Sequence, residues 1–123
     1  MNQDSQQANT SPVTLINVFE VPAEHVDVFI ANWRERAALM REKPGFLDSR
    51  LDRALSAQTR FQLVNVAHWE SREAYQAAIA DTEFQARISA VTAEAQVPIS
   101  ANPALYQVAV EFSGPAPHEQ RRT

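Results

Sequence analysis

The sequence predicts an α+β fold of order βαββαβ, with a four-stranded antiparallel sheet covered on one face by two helical regions. Three observations carry this. A stretch rich in β-branched and aromatic residues is followed at once by a long apolar stripe of helical period. Two alternating segments stand back to back in the middle of the chain, and a second helical region then leads to a last apolar alternation.

Residues 13–21 (VTLINVFEV) read as the first strand. Pro22 falls where a first helical position would be, and Glu24 sits near the positive end of the helix dipole. Val26, Phe29, Ile30, Trp33, Ala37 and Met40 then recur at offsets 0, 3, 4, 7, 11 and 14, one face of a long helix. Pro44 disfavours helical geometry at Lys43 and Gly45 can take a turn, so the helix ends there. Residues 46–53 form a second strand, with Leu47, Ser49 and Leu51 alternating against Asp48, Arg50 and Asp52. A short polar connection at 54–59 leads to a third strand at 60–69. Its odd face holds Phe61, Leu63, Asn65, Ala67 and Trp69, and its even face Gln62, Val64, Val66 and His68. Ser71 can cap a helix running to Ala80, and Asp81 or Thr82 can open another to about Ala95, so this region is broken near Asp81. Beyond Pro98 and Pro103, residues 105–112 read as the last strand. This order within about 100 residues is that of the ferredoxin-like split βαβ arrangement.

The chain has 123 residues, a formal net charge of −4, no cysteine and two glycines, Gly45 and Gly114. Residues 1–12 hold no aromatic or β-branched apolar residue and 113–123 no large apolar side chain, so they read as a disordered N-terminal tail and a flexible C-terminal tail around one domain at 13–112. Without cysteine there is no disulfide, thiolate metal site or cysteine nucleophile. Two isolated glycines make neither a dinucleotide fingerprint nor a P-loop. An acidic chain without a basic cluster is not expected to bind nucleic acid. No signal peptide and no apolar run long enough for a membrane helix is visible, so a cytoplasmic protein is expected.

The first strand is apolar on both faces, with Leu15, Phe19 and Val21 on one and Ile16 and Val18 on the other. Val64 and Val66 likewise oppose the odd face of the third strand. A monomer would leave that second apolar face in water, which predicts a homodimer packed sheet against sheet, unless the C-terminal segment folds over it.

Asn65 stands mid-strand on the odd face, and Asn17 raises the same question in the first strand. A buried amide needs partners and is unfavourable in a strand, so each either ties to neighbouring backbone or points into a cavity. Trp69 lies four residues beyond Asn65 on the same face, as core or as a pocket wall able to donate its N–H. Trp33 fits the helix stripe, and the Tyr75 phenol, on the following helix, could reach the same space. His25, His68 and His118 are not spaced as metal ligands, and no serine occupies a nucleophile elbow, so neither a metal site nor a catalytic triad is expected.

The strings INVFEVPAEHVDVFIANWRE, KPGFLDSRL and VNVAHWESREAYQAAIADTEF resemble the antibiotic biosynthesis monooxygenase family, whose members are dimeric α+β barrels with ferredoxin-like subunits. The likeness is closest to the branch that converts an anthrone to a quinone with dioxygen and no cofactor. That branch uses an asparagine, a tryptophan four residues on and a tyrosine six beyond, where Asn65, Trp69 and Tyr75 stand. It also uses an arginine on the following helix, for which Arg87 is the nearest candidate, two residues out of step. A second, haem-degrading branch has a first-strand asparagine, matched by Asn17, but its tryptophan and histidine fall at Ala78 and Ile88 here. The resemblance thus implies a cofactor-independent monooxygenase acting on a small aromatic substrate and dioxygen. Asn65, Trp69 and Tyr75 would be catalytic, and Asn17, Phe29, Trp33, Phe61, Leu63, Phe84 and Arg87 would bind substrate. A non-catalytic small-molecule-binding barrel is the alternative.

Overall fold

The computed structural model describes residues 11–95 and 99–115. Most of both expected tails, with His118, lies outside the described residues. The elements run β1 (Val13–Glu20), a 3-10 turn (Ala23–His25), α1 (Val26–Met40), β2 (Phe46–Arg53), β3 (Leu63–Trp69), α2 (Arg72–Ala80), α3 (Thr82–Ala95) and β4 (Ser100–Tyr106). The strands form one antiparallel sheet in the order β2-β3-β1-β4, the ferredoxin-like arrangement. No helix is long and apolar enough to cross a membrane among the described residues.

The last and third strands differ from the sequence reading in their bounds and the second in its register, each for a non-local reason. The last strand is Ser100–Tyr106 rather than 105–112, and it contains Pro103. β4 pairs only with β1, and an edge strand is where a residue lacking an N–H is tolerated. Residues 107–112 keep their alternation but lie outside any strand, with Val108, Val110 and Phe112 exposed. The third strand starts at Leu63 because the Gln62 side chain is buried and donates to the carbonyls of Ser56 and Thr59, holding the preceding loop. In β2 the register shifts between Phe46 and Asp48. This bulge turns Leu47 outward, 48% exposed, and sets Phe46 opposite Trp69.

The inward face of the sheet carries two apolar clusters. Val13, Leu15, Ala67, Trp69 and Ala78 form one. Phe19, Val21, Val26, Phe29 and Leu63 form the other. Burying a side chain such as Phe19 or Leu63 contributes about 1.5–3 kcal/mol. The clusters are separated at the level where Asn17 pairs with Asn65 across β1 and β3. Two amides directly opposite each other thus interrupt the core of the sheet, and the site described below lies at that interruption.

The junction between α2 and α3 is Asp81, whose extended backbone ends α2. Its carboxylate accepts the backbone N–H of Phe84 and pairs with Lys43 Nζ at 2.6 Å, while that ammonium also lies 5.0 Å from the Phe84 ring. The hydrogen bond from Lys43, followed by that from the Phe84 backbone, holds the Asp81 carboxyl below its ordinary 3.8. Because the folded value is the lower one, this stabilisation is complete above the unfolded value and is lost as pH falls through the folded one. Asp81→Asn should therefore lower the urea midpoint at pH 7, and the difference between the two proteins should shrink as pH falls below the ordinary carboxylate range.

Candidate active site

β1 and β3 place Asn17 and Asn65 as neighbours on the inward face, and their amide oxygens are both committed. Asn65 Oδ1 accepts from Ser49 Oγ at 2.9 Å, and Asn17 Oδ1 accepts from the backbone N–H of Asn102 at 2.9 Å. Each amide is thereby oriented, and its NH2 end remains available to a ligand. Ser49 reaches Asn65 because the β2 bulge returns odd residues to the inward face after Leu47.

Trp69 is fully buried at the end of β3. Its ring meets Phe46 edge-on at 5.4 Å and Tyr75 at 5.6 Å between centroids. These contacts hold the indole in one orientation. Its Nε1 is buried without a hydrogen-bond acceptor. Leaving such a donor unmade costs roughly 1–3 kcal/mol, so it is a group that a bound oxygen would satisfy. Tyr75 follows from α2, whose first turn is fixed by the Ser71 side chain accepting the N–H of Ala74. Burial raises the Tyr75 pKa, so the phenol keeps its proton at neutral pH.

These groups surround a cavity of about 280 Å³ between the sheet and the helices. Of the residues proposed from the sequence, Asn17, Trp33, Asn65, Trp69, Tyr75 and Phe84 line it. The other four lie elsewhere. Phe29 and Leu63 are buried in the second apolar cluster, where the Phe29 ring packs at a tilt against Phe19, 4.8 Å between centroids. Phe61 precedes β3 and lies beneath the Arg60 guanidinium, 4.9 Å from its ring centroid. Arg87 is exposed on α3 and does not line the cavity.

Arg36 and Ser49 line the cavity and were not singled out from the sequence. Arg36 lies three residues beyond Trp33 and four before Met40, so helical spacing alone puts it beside the apolar stripe. A charged residue at that position reads as solvated when only composition is weighed. Its Nε is in fact buried without an acceptor, and burial lowers the guanidinium pKa. No group of three His, Cys, Asp or Glu residues able to hold a metal occurs among the described residues.

The antibiotic biosynthesis monooxygenase family model matches residues 12–90. A curated mycobilin-producing heme oxygenase from Mycobacterium tuberculosis is 39% identical over 66 residues, 54% of this chain. The chain spans 61% of that relative's length. Among solved structures, SnoaB, a cofactor-independent oxygenase from Streptomyces nogalater, is similar with a TM-score of 0.63 and 26% identity, covering 85% of this chain and 99% of that one. The heme-degrader MhuD from Mycobacterium tuberculosis, with two hemes bound in its active site, gives 0.58 and 27%, covering 82% and 99%. The family model spans more than half of the sequence and both neighbours share its fold along nearly their full length, so this chain belongs to the antibiotic biosynthesis monooxygenase family.

Proposed function

We propose that this chain is a cofactor-independent monooxygenase that oxidises an aromatic phenol, anthrone or quinol-like molecule with dioxygen. The observation that supports it most is the pair of N–H donors at one cavity: the Asn65 amide, oriented by Ser49, and the acceptor-less Trp69 indole. An electron-rich phenol becomes a reductant of dioxygen once its oxygen carries negative charge. Fixed donors in a site shielded from water stabilise that charge far better than water-exposed ones. The substrate then transfers electrons to dioxygen, a peroxy species forms at the activated ring carbon, and loss of water leaves the quinone. Overall a CH2 group and dioxygen become a carbonyl and water. Tyr75, still protonated, is placed edge-on to Trp69 to donate the proton that the peroxy oxygen needs. Phe46, Trp33 and Phe84 supply walls that accept a planar ring.

Haem fits these residues poorly as the molecule to be oxidised. Among the described residues, none that lines the cavity is a histidine. His25 precedes α1, and His68 is paired with Asp48 at 2.6 Å and belongs to the outward face of β3.

Oxygen uptake with an anthrone, in the presence of a chelator and without added flavin, tests the reading. Uptake proportional to enzyme with formation of the quinone supports it. Ligand-induced thermal stabilisation without uptake would instead favour a binding module.

A homodimer belongs to the same proposal. Ile16, Val18, Val64 and Val66 keep partial exposure on the outward face, and the apolar side chains of residues 108–112 do not cover it. Light scattering on the eluted protein should give twice the chain mass, and Val66→Lys should shift it to that of a monomer.

A further inference from the structure

One wall of the cavity carries an oxidisable atom. Met40 is the last residue of α1, half-buried, and it lines the cavity together with Asn65, Trp69 and Tyr75. It packs against the apolar cluster that contains Trp69. The chain has no cysteine and two methionines, Met1 and Met40, so Met40 holds the one sulfur among the described residues. Leucine has nearly the same volume and would end the α1 stripe equally well, so packing alone does not call for sulfur there. A thioether is soft and polarisable, and peroxides convert it to a sulfoxide, which is polar and chiral at sulfur.

Two N–H donors border the same cavity without an acceptor, Trp69 Nε1 and Arg36 Nε. Arg36 precedes Met40 by four residues, one turn away on the same side of α1. A donor to the inner oxygen of a bound hydroperoxide stabilises the alkoxide that departs when the O–O bond breaks. The sulfoxide oxygen that forms is an acceptor these donors can then hold. The oxidised side chain would therefore stay inside the cavity, in the space a ligand needs.

We propose that Met40 is an oxidation site, converted to the sulfoxide by an aromatic hydroperoxide bound in the cavity, and that this conversion inactivates the site. The sulfur lone pair attacks the terminal peroxide oxygen, the O–O bond breaks, and the proton of that oxygen passes to the departing alkoxide. The sulfur loses two electrons and the hydroperoxide is reduced to its alcohol. That the hydroperoxide is the peroxy species of the reaction itself rests on the monooxygenase reading above. The reactivity of Met40 toward an added hydroperoxide does not.

The test adds cumene hydroperoxide to the full chain in the presence of a chelator and locates the gained oxygen by peptide mass mapping. Met40 should be oxidised at least about tenfold faster than N-acetylmethionine amide in the same solution, because the cavity holds the two reactants together. Hydrogen peroxide, which has no aromatic part to bind, should give Met40 no such advantage. The sulfoxide should be predominantly one epimer, shown by which of the two epimer-specific sulfoxide reductases returns it to the thioether. Trp69→Phe keeps a ring and deletes the donor, and it should reduce the advantage. An unmodified Met40, a rate no faster than the free amide, an equal advantage with hydrogen peroxide or an even mixture of epimers would overturn the proposal. The wild-type measurements decide the matter even if Trp69→Phe does not fold. During anthrone oxidation, activity should decay as the sulfoxide accumulates and return with the reductase, and Met40→Leu should lose that reductase-reversible decay. Sulfoxide accumulation without loss of activity would overturn the inactivating role. Fast Met40 oxidation by cumene hydroperoxide without oxygen uptake on anthrone leaves the site standing and removes the monooxygenase reading. Oxygen uptake with an unreactive Met40 does the reverse.

Discussion

Asn65→Ala should lower kcat for anthrone oxidation by about a hundredfold, the usual effect of deleting one preorganised donor to a developing oxyanion. The argument rests on how rigidly the amide is held. Its oxygen is taken by Ser49 Oγ and its strand is paired on both sides, with Leu51 in β2 and Asn17 in β1. The NH2 group therefore meets the reacting oxygen without reorganising, which is what makes a preorganised donor effective. Because charge on that oxygen grows toward the transition state, KM should change far less than kcat. The folded state should lose only about 1 kcal/mol, since Ser49 can hydrogen-bond to water entering the enlarged cavity. Ser49→Ala separates orientation from donation: it should lower kcat by less than Asn65→Ala and leave the fold intact. Stopped-flow quinone formation with denaturation curves checks both. Equal kcat for Asn65→Ala and wild type would remove Asn65 from the chemistry.

Gly45→Ala should be the most destabilising single-methyl change. Gly45 has φ of +88° in the turn between α1 and β2, a region that costs other L-residues about 1–2 kcal/mol. A Cβ there would also stand 2.4 Å from Ala74 Cβ on α2, an overlap that something must relieve. Overpacking of this kind adds roughly 1–3 kcal/mol, for a total of about 2–5 kcal/mol in urea unfolding. The turn cannot simply move away, because the Gly45 carbonyl accepts the N–H of Glu70 at 2.8 Å just beyond β3. Helix α2 must give instead, and it carries Tyr75 next to Ala74. Activity should therefore fall along with stability. The double variant Gly45→Ala/Ala74→Gly should recover the steric part and retain the backbone part, so its stability should lie between those of Gly45→Ala and the wild type. Equal stability of Gly45→Ala and wild type would contradict the contact.

How far the sequence carries the fold depends on the range of the interaction concerned. The β1 pattern, the α1 stripe and the Ser71 cap are local, and each appears in the structure near where periodicity puts it. That the two asparagine strands lie side by side also follows from element order alone. The end of β4 does not, because residues 107–112 have the alternation of a strand but pair with no strand among the described residues. The bulge at Leu47 is likewise hidden, since an alternation of Leu47, Ser49 and Leu51 reads as one face until β3 supplies the register.

The candidate site divides in the same way. The types of group at Asn17, Asn65, Trp69 and Tyr75 are written in the sequence, and spacing suffices to put Asn65 and Trp69 on one face of β3, while the register with β1 brings Asn17 beside them. Whether Phe29 and Leu63 enter a pocket or fill core depended on where the helices settle, and they settle onto both. Only the tertiary structure decided that Ser49 and Asn102 take the amide oxygens and that Arg36 is left without a counter-charge. The physical reason is that a donor's identity is a property of one residue. Whether it is satisfied is a property of atoms brought together from β1, β2, β3, β4 and α1, far apart along the chain.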